Sequence, residues 1–269
     1  MRTVFMTLLL FGPQAWAEPS PAAVDAVERG IQGFNSKAVF TLPTLTSDQV
    51  EDLEKGKVLK IVERSKDRAK PARAIALLLS QHSQAALWVA SLDPHLTVDP
   101  DLIEKKLAEH QGREIWYGYY KLPYPFSDRH WVIESWNNAA LAQATAGASW
   151  EHAWQLAPTQ EAPVFAAVRA GAVSGVDSAA VDSAVKTPHN HGAWLVIRLQ
   201  NGKSILGYHA TSTVGGSVPD WVVLQLVHGK LDALLKRVDE RCTTLVPEHY
   251  NAAHPHIEGG DALPLTWRP

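Results

Sequence analysis

The chain has a single cysteine, Cys242, in 269 residues, so no intramolecular disulfide can hold it together. Its stability must come from an apolar core, which a chain of this length can supply unaided. Charge of one sign is also missing. Lys and Arg number 25 against 28 Asp and Glu, a net charge of -3, with no basic or acidic run. A polyanion binder needs surplus positive charge to displace counterions, so no nucleic-acid partner is expected. No stretch approaches the roughly 20 apolar residues that cross a bilayer, which excludes a helical membrane span. Methionine is scarce at two, whereas tryptophan reaches ten, an excess of wide, flat apolar surface.

Residues 1–17 read as an export signal. Arg2 supplies the positive start, residues 4–11 (VFMTLLLF) the apolar centre, and Gly12-Pro13 the break. Ala15-Trp16-Ala17 then places small residues at the two positions a signal peptidase reads, with cleavage expected after Ala17. No cysteine follows that point to take a lipid anchor. The expected location is periplasmic or secreted.

Residues 18–45 are rich in Ala and Pro and read as a leader or linker with little structure of its own. From Ser47 a short capped helix runs towards Gly56, and residues 58–63 and 72–79 read as two strands across a charged turn. Residues 83–92 are helical in pattern and stop before Asp93-Pro94, while 102–110 fit strand and helix equally. Strands dominate from Glu114. In residues 149–156 Trp150, His152, Trp154 and Leu156 alternate onto one side. Residues 157–190 carry little pattern and suggest one or two strands. Residues 193–199 and 204–213 form a hairpin across Asn201-Gly202. The last helix has Ser217 as a cap and Pro219 in its first turn. Leu224, Val227, Leu231, Leu234, Leu235, Val238 and Cys242 then recur at spacings of three and four. Strands followed by one long terminal helix point to an α+β domain over residues 46–243, with an antiparallel sheet curling around that helix and a tail at 244–269.

Two segments carry a family resemblance. Leu122-Pro123-Tyr124-Pro125-Phe126-Ser127-Asp128-Arg129-His130-Trp131-Val132 resembles a Pro-punctuated corner of START-type lipid-transfer domains. Gly215-Gly216-Ser217-Val218-Pro219-Asp220-Trp221-Val222 is similar to the opening of their C-terminal helix. Gly192-Ala193-Trp194, Asn201-Gly202-Lys203 and Leu53-Glu54-Lys55-Gly56-Lys57-Val58 match in order as well, the last resembling exported bacterial members. Asp220 departs from the pattern, since Lys is common there.

The resemblance implies a helix-grip fold, a curved antiparallel sheet wrapped around the long C-terminal helix with an apolar tunnel between them. It also implies binding, and transfer, of a lipid, sterol or other hydrophobic small molecule, with transient membrane contact. No cofactor is expected. The expected lining is Trp131 and Ile133 from one strand, Leu195 and Ile197 from the hairpin, and Trp221, Leu224 and His228 from the helix. Arg129, Glu134 and Tyr208 are candidate polar contacts, Arg129 more naturally as a structural charge in a salt bridge or bound to loop carbonyls.

Apolar transfer is non-directional, so such a site needs no catalytic motif. No GxSxG is present, which speaks against a serine hydrolase. The rival reading is a cyclase or aromatase working in the same cavity, with Tyr208, His209 or Glu134 as its polar groups. Histidines at 189, 191, 249, 254 and 256 lie in loops or tail, where nothing fixes ligand geometry, so no metal is expected.

Overall fold

The computed structural model describes residues 21–64, 71–93, 101–213, 220–244, 246–249, 257–263 and 265, with side chains described throughout except at 220–229, 248 and 249. The signal segment 1–17 and the capping residues Ser217 and Pro219 lie outside the described residues.

Nine strands form one sheet: β1 (Leu59–Glu63), β2 (Arg73–Ser80), β3 (Leu102–His110), β4 (Arg113–Tyr120), β5 (Arg129–Asn137), β6 (Ser149–Leu156), β7 (Val185–Lys186), β8 (His189–Arg198) and β9 (Ser204–Thr213). The order across it is β1-β2-β9-β8-β6-β5-β4-β3, all antiparallel, and β7 adds a short parallel pairing to β5. The segment 102–110 resolves as a strand. At the sheet's margin its run of Lys and Glu keeps the open edge from pairing with other chains. The β8–β9 hairpin turns at Asn201-Gly202, where Gly202 takes φ +84°, a backbone conformation open to glycine at no steric cost.

Helices cover the sheet unevenly. On its outer face α1 (Pro21–Asn35) and α2 (Ser47–Glu54) bury Val27, Ile31, Phe34 and Leu53 against Ile75, Leu77, Leu195 and Ile197. The Asn35 amide clamps the chain between the two helices, donating to the Leu42 carbonyl at 2.8 Å and accepting from the Leu42 N–H at 2.7 Å. The segment 18–45 is therefore no loose leader: from Pro21 it is helix and strap packed into the core. Its apolar residues fall at helical spacing, and the Ala and Pro around them hide that pattern in the sequence.

Residues 157–190 also differ from expectation. They fold mainly as two short helices, α5 (Glu161–Arg169) and α6 (Ser178–Ser183), after a 3-10 turn at Pro158–Gln160. Only β7 and the first residues of β8 are strand here. Alanine favours helix, Asp177 caps α6 by accepting from the Ala180 N–H at 2.8 Å, and each helix offers too few apolar turns to show a period. Val164, Val168 and Val181 pack on Ile115, Tyr117 and Val132, covering the outer face at the β4–β5 end. Between these helices, α4 (Ala139–Ala144) bridges β5 and β6.

The inner face carries α3 (Gln84–Leu92), the long α7 (Asp220–Thr244) and the short α8 (Val246–His249). Leu231, Leu235 and Val238 of α7 join Trp88, Ala76, Leu78, Val196 and Leu206 in one apolar cluster. Cys242 lies in the same cluster, and burial pushes its thiol up to about 12, as suits a packing residue. Part of the C-terminal tail returns to this face. Trp88 Nε1 donates to the Glu258 carbonyl at 2.9 Å, Asn137 Nδ2 to the Gly259 carbonyl at 3.1 Å, and Leu265 is buried.

If the strap is core, removing its largest anchor must cost core energy. Phe34→Ala is expected to lower unfolding stability by about 3–5 kcal/mol, read as a shift in urea midpoint. A shift below about 0.5 kcal/mol would return the segment to the status of a linker.

Candidate functional site

The site is set by how α7 meets the sheet. Leu231 and Leu235 pack with β2 and β9, while Lys230, one residue earlier, donates to the Tyr120 hydroxyl on β4 and lies 3.9 Å from Asp101 at the start of β3. One stretch of helix thus touches strands from both halves of the sheet, which requires the sheet to curl around it. Burial, and then the Glu104 charge, raise the Tyr208 phenol above its ordinary value.

Strand register assigns the side chains that face the enclosed space. Glu104, Gly118 and Trp131 form one row across β3, β4 and β5, and Trp116, Ile133 and Leu156 form the next. Gly118 matters by what it lacks. A Cβ there would sit 2.2 Å from Trp131 Nε1, so only glycine lets the indole lie across β4. Further round, Tyr208 packs between Trp154 and Trp194, with ring centroids 5.5 Å and 4.8 Å away.

These residues combine two properties that ordinary core residues do not share. Trp116, Trp131, Trp194 and Tyr208 remain only half-buried, and Glu104 is exposed to water. Yet burial pushes the Glu104 carboxyl up to about 7 and the His152 imidazole down to about 4. A group that water can touch, deep enough inside protein to be desolvated, faces an internal hollow. Among the described residues, Trp116, Trp131 and Trp154 join none of the three apolar clusters that fill the rest of the fold.

Of the residues singled out in the sequence, Trp131, Ile133 and Tyr208 face this hollow. Leu195 and Ile197 do not: both point to the outer face and pack on α1 and α2, so they line no space under α7. Their neighbours Trp194 and Val196 take the inner face. The run AWLVIRL is apolar in both registers because β8 is covered on both sides, and a strand of that kind conceals which residues point inward. Trp221, Leu224 and His228 lie on α7 where side chains are outside the described residues.

Arg129 is 4% exposed and donates to the Ser127 and Asp128 carbonyls, holding the β4–β5 corner. Glu134 faces outward, paired with Arg113 and accepting from Gln155 Nε2 at 2.6 Å. His209 is also on the outer face, fully buried under Phe40 beside Arg73. Two of the three groups considered for cyclase chemistry are therefore outside the hollow, and Tyr208 alone is inside. Glu104, Trp116, Trp154, Trp194 and His152 join it without having been singled out for the lining. The alternation in 149–156 was visible, but a strand-or-helix ambiguity at 102–110 concealed the direction of Glu104.

A second concavity, about 510 Å³, lies on the outer face between Phe40, Gln155 and His191. It opens broadly to solvent and meets the inner-face rows only at Leu156, the last residue of β6.

Among solved structures, human STARD10 is similar over 79% of this chain and 86% of its own, at 11% identity and TM-score 0.49. A STAR-related lipid transfer protein fragment from Xanthomonas axonopodis is similar over 70% and 94%, at 15% identity and TM-score 0.48. The Zhui aromatase/cyclase from Streptomyces sp. R1128 is similar over 67% and 96%, at 12% identity and TM-score 0.37. No protein-family model and no curated protein matches the sequence. The chain's helix-grip architecture rests on its own strand order and on the contacts of α7 with both halves of the sheet.

Desolvated groups make stability depend on pH. His152 and His209 are both lowered by burial, so the folded chain resists protonating them while the unfolded chain does not. Their contribution is present above the unfolded value of about 6.5 and is lost as pH falls towards 4. Urea midpoints are expected to drop across that window, and His152→Gln to reduce the drop. An equal drop in the variant would show that His152 is not desolvated.

Proposed function

We propose that this protein binds a hydrophobic small molecule, of the lipid or sterol class, in the hollow between the curled sheet and α7, and carries it between membranes. The observation that supports the reading is the half-buried aromatic lining, Trp116, Trp131, Trp194 and Tyr208, deep inside the fold. Apolar surface left facing water at the centre of a protein is costly, and an apolar guest removes that cost. A sixteen-carbon chain moved from water into such a space gains about 13 kcal/mol before the loss of its freedom, several kcal/mol, is subtracted. The START resemblance of residues 122–132 and 215–222 points the same way. No catalytic group is needed for this activity.

Export to the periplasm or beyond, inferred from residues 1–17, would place the protein where lipids must cross an aqueous gap. Tyr124, 97% exposed at the β4–β5 corner, suits transient contact with a membrane surface.

Organic extraction of the chain purified after export should release close to one apolar molecule per protein, identified by mass spectrometry. A fluorescent sterol or fatty-acid probe should compete with it. Trp131→Ala should weaken probe binding about tenfold through lost contact area. Leu195→Ala, on the opposite face, should lower stability by about 2–5 kcal/mol and leave affinity per folded molecule unchanged. Absence of extractable and exchangeable ligand, or turnover of an aromatic polyketide precursor, would overturn the binding reading.

A further inference from the structure

The inner face holds one acidic group with no neutralising partner among the described residues. Glu104 has no hydrogen-bond or ion-pair partner among the described residues, and burial alone accounts for its raised pKa. Its surroundings explain why. Lys106, two residues along the same strand face, is held by Glu109 at 3.6 Å and Glu114 at 2.7 Å. Lys230 of α7 is engaged by the Tyr120 hydroxyl and Asp101. Arg129 on β5 is turned into its own corner. His152 on β6 is bonded to Asn137 Oδ1 at 2.7 Å and resists protonation. Tyr208 approaches from β9, and its hydroxyl too lacks a partner among the described residues.

The neighbours of Glu104 are aromatic. Across Gly118 from it lies Trp131, whose buried Nε1 is unpartnered, and beyond the gap stand Trp154, Tyr208 and Trp194. A carboxylate beside indole and phenol rings is suited to a cation, because it supplies the countercharge while the ring faces attract positive charge. A fatty acid or another anionic headgroup would meet an unopposed like charge there. An alcohol would gain a single hydrogen bond and leave the charge uncompensated.

We infer that the guest is a cationic amphiphile, a hydrophobic molecule carrying a basic nitrogen, with its ammonium group held by Glu104 in the row it shares with Trp131 and its hydrocarbon among the tryptophans. This rests on the binding reading above and adds the chemical class of the headgroup.

The test uses the full chain and displacement of a neutral fluorescent apolar probe by decylamine, decanol and decanoate, ligands of one chain length and three headgroups. At pH 8 decylamine should bind about tenfold more tightly than decanol, and decanoate most weakly. The amine stays protonated throughout, so its advantage should shrink as pH falls from 8 to 5 and Glu104 takes up a proton. Glu104→Gln should erase the preference for amine over decanol, while the neutral probe still binds. If that variant does not fold, the headgroup order and its pH dependence in the unaltered chain still decide the matter. Equal binding of amine and alcohol, tighter binding of decanoate, or a preference that survives Glu104→Gln would overturn the inference and leave the hollow intact. Failure of the neutral probe itself to bind would remove both readings together.

Discussion

One stretch of helix held against two distant parts of a sheet governs this molecule. The middle of α7 is packed by Leu231 and Leu235 onto β2 and β9 and fastened by Lys230 to Tyr120 of β4. To satisfy both contacts the intervening strands β8, β6 and β5 must bow away, and the aromatic side chains on that stretch lose the partner that would have buried them. The outer face shows the contrast. There α1 and α2 cover one end, α5 and α6 the other, and the apolar side chains are buried to near completeness. The same strands are thus packed tightly on one side and left facing space on the other.

Polar groups are distributed by the same division. On the outer face Glu151 is fully buried and held by the Val39 N–H at 2.9 Å and Asn138 Nδ2 at 2.6 Å. Arg73 reaches the Thr41 carbonyl at 2.7 Å, and Phe40 stacks on His191 with centroids 5.0 Å apart. These interactions pin the strap of residues 36–42 and are structural in character. On the inner face Glu104 and Tyr208 make no such bonds among the described residues.

The sequence shows this architecture well where a pattern is long and single-sided. The alternation of Trp150, His152 and Trp154, the Asn201-Gly202 turn and the spacing in residues 231–242 each identify their element. It conceals what depends on two-sided burial or short elements. Leu195 and Ile197 are as apolar as Trp194 and Val196, and only the packing of α1 and α2 decides which pair points outward. The helices of 161–183 are too short for periodicity, and α1 is masked by its own alanines and proline. Glu104 reads as one more charge on an edge strand until strand register sets it in the inner-face row of Gly118 and Trp131.

The returning C-terminal segment has a consequence for traffic. By tying Glu258 to Trp88 and Gly259 to Asn137, it lays a floor across the end of the chamber where Trp150 and His152 stand. A guest of the kind proposed would meet that returning segment, and not open solvent, at this end of the inner face.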